Sequence, residues 1–329
     1  MRTIAFFNNK GGVDKTTLVY HIACMLADRG ATVLAVDLDP QANLTSMFLT
    51  EEDLELLWPN GEHPKTIFGA LRPIIRGLGD VATPHVEMVN PGLGLVVGDL
   101  ALSTFEDKLS AAWPNCHNRD ESAFRTMSAF HRGIQQAAAK LGADWVLVDV
   151  GPNLGAINRA ALIASEYVVI PLGPDLFSLQ GLRNLGPSLM EWRRIWTELR
   201  EKSPDPTLSL PQGRIEPLGY AVMQHGMREN RPPKAYLRWI ERFPGAYRES
   251  VLGRPEASVP AATEDPFCLA MLKHYRSLMP MAMEVRKPVF ALKPADGAIG
   301  AHGEAVRNAY GDFLALTRRI AERCGATVP

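Results

Sequence analysis

Cysteine and long apolar runs are both scarce in this chain of 329 residues, and each shortage argues against a class of protein. The four cysteines, at positions 24, 116, 268 and 324, form no Cys-x-x-Cys pair, so the sequence predicts neither a disulfide framework nor a zinc or iron–sulfur site. No stretch reaches the roughly eighteen consecutive apolar residues that a membrane-spanning helix needs. The first apolar segment, residues 2–7, is typical of a buried strand rather than of a signal peptide. We therefore expect a cytoplasmic protein.

Net charge is also nearly absent, at -1, but the charge is unevenly distributed. Residues 1–150 carry 12 Lys and Arg against 18 Asp and Glu, whereas residues 151–329 carry 23 against 18. The second half of the chain is therefore the basic one. With 46% hydrophobic residues the chain can bury one large α/β core, and we expect a single elaborated domain over 1–329.

The sequence does contain a phosphate-binding loop, Asn-Lys-Gly-Gly-Val-Asp-Lys-Thr-Thr, at residues 9–17. The loop follows an apolar strand and precedes apolar residues at helical spacing. In such a loop, backbone N–H groups converge on phosphates, Lys15 reaches their oxygens and the hydroxyl of Thr16 faces a magnesium ion. A second apolar strand at 32–37 completes a βαβ unit, which predicts a parallel sheet flanked by helices.

Asp14 departs from the usual loop, which has glycine directly before its lysine. Two unit charges about 4 Å apart at an effective dielectric of about 20 repel by roughly 4 kcal/mol, which is about three decades of affinity if nothing compensates. A β-carbon adds strain if this position needs a conformation that favours glycine. Three accounts stay open: an engineered loss-of-binding variant, a natural pseudo-ATPase, and an active protein that tolerates the change.

The loop resembles the deviant Walker A motif of the ParA/MinD superfamily, in which an early lysine, here Lys10, reaches the nucleotide of a partner subunit. Residues 37–45, Asp-Leu-Asp-Pro-Gln-Ala-Asn-Leu-Thr, resemble the switch segment of that family. Its second aspartate, here Asp39, orients the attacking water and contacts the metal shell. Residues 145–152, Trp-Val-Leu-Val-Asp-Val-Gly-Pro, resemble the Walker B strand, with Asp149 placed to hold magnesium and the Gly-Pro turn placed to sense the γ-phosphate.

The resemblance continues, less specifically, through most of the chain. Residues 217–224 resemble the late strand that ends at the adenine, residues 293–297 resemble the final loop near the base, and a C-terminal helix is expected from about Gly303 to Arg323. The implied fold is α/β, a three-layer P-loop NTPase with a mostly parallel, doubly wound central sheet flanked by helices. The implied nucleotide-binding residues are Lys10, Gly11, Gly12, Val13, Asp14, Lys15, Thr16, Thr17, Gln224 and Pro294.

By the same resemblance, two subunits would each bind ATP with Mg²⁺, dimerise face to face, and hydrolyse ATP slowly until a partner protein stimulates them. Lys10, Lys15 and Asp39 would be catalytic, and Thr16, Asp39 and Asp149 would hold the metal. Such a switch positions or segregates DNA or a large protein cargo. A membrane role is not expected, because the last helix looks packed rather than free. The alternatives are a nucleotide-insensitive scaffold of the same fold and a metabolic ligase-like relative.

Three segments lie outside the resemblance. We expect insertions at about 51–90 and 191–214 and a variable basic segment at about 226–264, since insertions on the loops of a rigid core commonly carry partner choice. The basic segment could neutralise the phosphates of non-specific DNA, or it could be an ordinary solvated helix face. Its candidate contact residues are Arg228, Arg231, Lys234, Arg238 and Arg242.

Two further features have structural interpretations. Trp192 and Trp196 are four residues apart and so share a helix face. Packing in the core is the default interpretation for this pair, and a partner-binding face is the alternative. The eight histidines show no metal-ligand spacing, so we expect them at ordinary structural or surface positions.

Overall fold

A computed structural model of the chain describes residues 1–59, 63–225, 234–275 and 277–328, without the side chains of 224, 225, 234 and 235. Its centre is one eight-stranded sheet with the order β3-β4-β2-β5-β1-β6-β7-β8. Only β3 is antiparallel to its neighbour in this described sheet. The strands are β1 (Arg2–Phe6), β2 (Val33–Asp37), β3 (Glu87–Asn90), β4 (Leu93–Val96), β5 (Trp145–Asp149), β6 (Tyr167–Leu172), β7 (Glu216–His225) and β8 (Cys268–Lys273).

Helices cover both faces of this sheet. The helices are α1 (Lys15–Asp28), α2 (Asn43–Phe48), α3 (Glu51–Leu57), α4 (Ile67–Ile75), α5 (Phe105–His117), α6 (Glu121–Met127), α7 (Ala129–Leu141), α8 (Ala156–Ile163), α9 (Leu176–Arg200), α10 (Lys234–Ile240), α11 (Phe243–Ala246), α12 (Leu278–Glu284) and α13 (Ala301–Arg323). One apolar core contains side chains of α1, α2, α12 and α13, and the other contains side chains of α4 to α9. The predicted three-layer, doubly wound α/β fold is confirmed.

The central strands are apolar along their whole length, which is why they lie in the middle of a parallel sheet. Residues 33–36 of β2 and 146–148 of β5 are fully buried, as expected for strands covered on both faces. In such sheets the loops at the carboxyl ends of the strands form the ligand site. Here β1, β2 and β5 are neighbours, so the phosphate-binding loop, Asp37 and Asp149 meet at one edge.

The C-terminal helix predicted from about Gly303 begins two residues earlier, at Ala301. The two segments predicted as insertions, which stay predictions, contain regular structure. Residues 51–90 include α3, α4 and β3, and α9 continues through 191–200 before a stretch without helix or strand begins. The predicted basic segment includes α10 and α11, a π-helical turn at 247–251 and residues outside the described part.

The tryptophan pair packs in the core, as the helical spacing predicted. Trp192 and Trp196 are 8% and 0% exposed. The Trp196 indole stacks on Trp113 with ring centroids 6.2 Å apart, and its Nε1 donates a hydrogen bond to the Pro211 carbonyl at 2.9 Å. Among the histidines, His21 is buried between elements, where its Nε2 accepts a hydrogen bond from the backbone N–H of Val289. That position is structural, as expected.

Candidate functional site

The phosphate-binding loop connects β1 to α1, which begins at Lys15. Asp14 caps this helix with φ 55° and ψ 34°, in the left-handed region, and its carbonyl accepts a hydrogen bond from the Leu18 N–H at 3.0 Å. An L-residue in this region costs roughly 1–2 kcal/mol, and Asp is among those that tolerate it best. The loop thus holds Asp14 in the conformation that favours glycine, so its β-carbon adds strain to the unfavourable charge.

Two aspartates, Asp149 and Asp39, act electrostatically on the amine of Lys15, and a third, Asp37, lies beside Asp149. Asp37 and Asp149 are register partners at the ends of β2 and β5. Asp39 lies two residues after Asp37 in the chain. Burial raises the pKa of Asp37 to about 7, although the backbone N–H and hydroxyl of Thr45 both donate to its Oδ2 at 2.8 Å. Burial also lowers the pKa of Lys15, an effect that Asp149 and Asp39 oppose. The site therefore brings a buried lysine amine and buried carboxyl groups together at the end of the sheet.

The donor set at Asp149 fits a magnesium ion. The Thr16 hydroxyl donates to Asp149 Oδ2 at 2.7 Å, whereas the buried Oδ1 has no hydrogen-bond partner among the described residues. Burial, with the neighbouring Asp37 carboxylate, raises the pKa of Asp149 well above its usual value. In the described part of the chain no three His, Cys, Asp or Glu side chains form a metal cage. Mg²⁺ commonly needs only one or two carboxylates besides phosphate and water, so this arrangement suits a nucleotide-borne ion.

The turn after Asp149 is held firmly beside Asp39. A β-carbon on Gly151 would lie 3.3 Å from Asp39 Oδ1, and the Asn158 amide donates to the Gly151 carbonyl at 2.9 Å. Glu106 of α5 accepts hydrogen bonds from the first two N–H groups of α8, at 2.5 and 2.8 Å. The predicted γ-phosphate-sensing turn is thus fixed from both sides. Sequence reasoning missed Glu106, which lies far from any motif.

A cavity of about 370 Å³, the phosphate cleft, opens above the loop. It brings together most of the predicted site residues with three that lie outside the predicted motifs, Ser46, Met47 and Met283. Ser46 and Met47 directly follow the switch segment, which was an available signal, whereas Met283 of α12 comes from near the other end of the chain. Its full lining is Gly11, Gly12, Val13, Asp14, Lys15, Thr16, Thr17, Asp39, Gln41, Asn43, Ser46, Met47, Pro152 and Met283.

Two predicted nucleotide-binding residues, Lys10 and Pro294, do not line the phosphate cleft. Lys10 lies in a second cavity of about 330 Å³, the side cleft, which it lines with Gly12, Val13, Gly173, Pro174, Asp175, Met223 and Tyr236. Pro294 is in a 3₁₀ turn and lines neither cleft. Its predicted base contact stays a prediction. The side chain of Gln224 is outside the described part, so its predicted role stays a prediction.

The basic segment is described only from residue 234 onwards. Arg238 and Arg242 are exposed and flank the Trp239 ring, with guanidinium carbons 4.3 and 5.4 Å from its centroid. Arg228 and Arg231 lie outside the described residues, as does the side chain of Lys234. The described half of the predicted surface therefore presents two cations and an aromatic ring.

Comparison with known proteins gives a family match and relatives of similar sequence. The family described as AAA domain matches residues 1–199, more than half of the chain. A putative replication protein A from Rhizobium rhizogenes is 32% identical over 170 residues, which are 50% of this chain and 38% of that protein. The chromosome partitioning protein ParA of Myxococcus xanthus is 30% identical over 187 residues, 56% of each protein. The chain thus spans only part of the length of these relatives.

Solved structures share the fold over nearly the whole chain. Protein DIP2308 from Corynebacterium diphtheriae is 28% identical with a TM-score of 0.68, covering 87% of this chain and 97% of that one. An ATP complex of a McdA variant from Cyanothece is 15% identical with a TM-score of 0.63, covering 99% and 97%. The pNOB8 ParA structure is 20% identical with a TM-score of 0.63, covering 98% of both. At such identities the last two show the fold alone.

Proposed function

This chain belongs to the ParA-like P-loop ATPase superfamily, and we propose that it is a switch that dimerises with Mg-ATP to position or segregate DNA or a protein cargo. The observation that carries the proposal is the meeting of Lys15, Thr16, Asp39 and Asp149 at the carboxyl ends of adjacent strands. The ParA of M. xanthus is named for chromosome partitioning, and the Cyanothece relative is an ATP complex, which support the cargo and the nucleotide.

The reaction we propose is slow hydrolysis of ATP to ADP and phosphate. Loop N–H groups and Lys15 bind the phosphates, and Thr16 with Asp149 holds Mg²⁺, which when bound neutralises charge on the transferred phosphoryl group. Asp39 accepts a hydrogen bond from an O–H of the attacking water, since its carboxylate lies beside Gly151 of the sensing turn. Lys10 acts on the nucleotide of a second copy. We also propose that a partner protein stimulates this hydrolysis and that the protein works in the cytoplasm.

Asp14 makes this a weakened switch. Its carboxylate stands among the residues that line the phosphate cleft, and its backbone is in the left-handed region. The charge opposes phosphate binding relative to a glycine at the same place, whereas the strain, which is already present in the free loop, lowers the stability of the loop. The alternative that this observation favours is a scaffold of the same fold that does not respond to nucleotide.

Calorimetric titration with Mg-ATP tests the proposal against that alternative. We expect weak binding by the chain, tighter binding by Asp14→Gly, and none by Asp14→Gly carrying Lys15→Ala, which removes the phosphate-binding amine. Binding that survives Lys15→Ala would place the nucleotide elsewhere. Absence of Mg-ATP binding by Asp14→Gly would contradict the proposed switch and favour the scaffold that does not respond to nucleotide.

The partner surface is a separate part of the proposal. Arg238 and Arg242 are exposed beside Trp239, and cations interleaved with aromatic rings suit a nucleic-acid backbone. We propose that they contact non-specific DNA in the dimer. Among the residues described, no helix is both long and apolar enough to cross a bilayer.

A further inference from the structure

Lys10, the lysine proposed to act on a second copy, is bound by an aspartate of its own chain. Its Nζ donates to Asp175 Oδ2 at 2.5 Å, with the two side chains 29% and 37% exposed. The same ammonium lies 6.0 Å from the ring centroid of Phe177, which is 71% exposed. An ion pair and an aromatic face therefore hold the lysine in the side cleft.

Asp175 is fixed by the fold independently of Lys10. Its Oδ1 caps α9 by accepting a hydrogen bond from the Ser178 N–H at 2.9 Å, and the Ser178 hydroxyl accepts one from the Gly173 N–H at 3.0 Å. A β-carbon on Gly173 would lie 2.9 Å from Asp175 Oδ2 and 3.7 Å from Lys10 Nζ. Asp175 Oδ1 thus caps α9, while Asp175 Oδ2 accepts the hydrogen bond from Lys10 in a tightly packed part of the structure.

The side cleft and the phosphate cleft share Gly12 and Val13, but Lys10 lines only the former. We propose that Asp175 is a positioning residue that keeps Lys10 in the side cleft of the free chain, so that dimerisation must break this pair before Lys10 can reach a second nucleotide. The consequence for dimerisation rests on the function proposed above. The pair itself is a property of the free chain and can be measured without nucleotide.

The expected effect follows from the exposure of the pair. Partly exposed ion pairs change an equilibrium constant by about two- to five-fold. A two-fold symmetric dimer breaks two such pairs, so their loss should tighten dimerisation by about four- to twenty-five-fold. ATP binding to a single subunit should not change, because Lys10 is outside the phosphate cleft of its own chain.

Asp175→Asn is the variant of choice, because asparagine caps a helix as well as aspartate does but carries no charge. In the free chain, a double-mutant cycle with Lys10→Gln, followed by urea unfolding, should give a coupling of about two- to five-fold. A coupling of zero between Lys10 and Asp175 would overturn the proposal, whether or not the protein dimerises with nucleotide. Asp120→Asn is the matched control, since Asp120 also caps a helix, α6, by accepting from Ser122 and Ala123.

The second measurement is Mg-ATP-dependent dimerisation in the Asp14→Gly background, by sedimentation. Asp175→Asn should tighten the dimer by about four- to twenty-five-fold, with Asp120→Asn unchanged. Unchanged or weaker dimerisation by Asp175→Asn would overturn the role of the pair. If the Asp14→Gly parent forms no dimer, the proposed function fails, and the free-chain cycle alone decides whether Asp175 holds Lys10.

Discussion

Substitutions of Asp14 separate two costs that the phosphate-binding loop places on one residue. Asp14→Asn removes the charge and keeps a side chain that tolerates the left-handed conformation, whereas Asp14→Gly removes both the charge and the strain. In unfolding measurements without nucleotide, the difference between the two variants reports the strain, because the left-handed conformation is already present in the free loop. The difference between Asp14→Asn and the parent measures the charge.

The charge is the larger of the two costs. For charges about 4 Å apart, the repulsion between Asp14 and a phosphate is about 1 kcal/mol in bulk water and about 4 kcal/mol at an effective dielectric of about 20. Asp14 is half-buried, so we expect a value between these limits. Asp14→Asn should then bind Mg-ATP about five- to a thousand-fold more tightly than the parent.

The backbone strain at Asp14 is the smaller cost. Its relief is partly cancelled in measurements of the unfolding free energy. Relief of the left-handed conformation contributes about 1 kcal/mol, but glycine also loosens the unfolded chain by about 0.4–1 kcal/mol. Without nucleotide, Asp14→Gly should therefore change the free energy of unfolding by less than about 1 kcal/mol.

Calorimetric dissociation constants for Mg-ATP check this division. Asp28→Asn, at the other end of α1, removes the same charge far from the cleft and should change the affinity less than about two-fold. Parent-like affinity of Asp14→Asn with tight binding by Asp14→Gly would refute the electrostatic part. Parent-like affinity of both variants would refute the whole account of Asp14.

Three other expectations concern stability and DNA binding. Burial lowers the pKa of His21 to about 4, below the value near 6.5 of the unfolded chain. The neutral imidazole therefore contributes its full stabilisation above about pH 6.5, and up to about 3 kcal/mol of it is lost as the pH falls toward 4. His21→Phe should remove this part of the pH dependence of the unfolding free energy, measured by urea titration. Trp196→Ala should cost about 3–5 kcal/mol of unfolding free energy, against less than about 0.5 for the exposed Leu78→Ala, and equal losses would contradict the packing described. Arg238→Ala and Arg242→Ala should each lower the slope of log affinity for DNA against log salt by about 1, and an unchanged slope would remove these residues from the interface.

The fold and the phosphate site were predictable because they depend on local patterns. A strand, a glycine-rich loop and a helix follow one another at 2–28, and aspartates end two other apolar strands. Parallel strands then bring those aspartates to one edge without further information.

No local sequence pattern predicts the contacts between segments that are distant along the chain. Met283 enters the phosphate cleft, and Asp175 binds Lys10, from positions more than a hundred residues away along the chain. Such pairings follow from tertiary packing, which neither spacing nor periodicity encodes.

The most direct test of the central claim is the molar mass of Asp14→Gly in size-exclusion light scattering with Mg-ATP and with Mg-ADP. The account predicts twice the chain mass of 36.2 kDa with ATP and the single chain mass with ADP. The same mass with both nucleotides, in protein that calorimetry shows to be saturated with ATP, would contradict a nucleotide-gated switch.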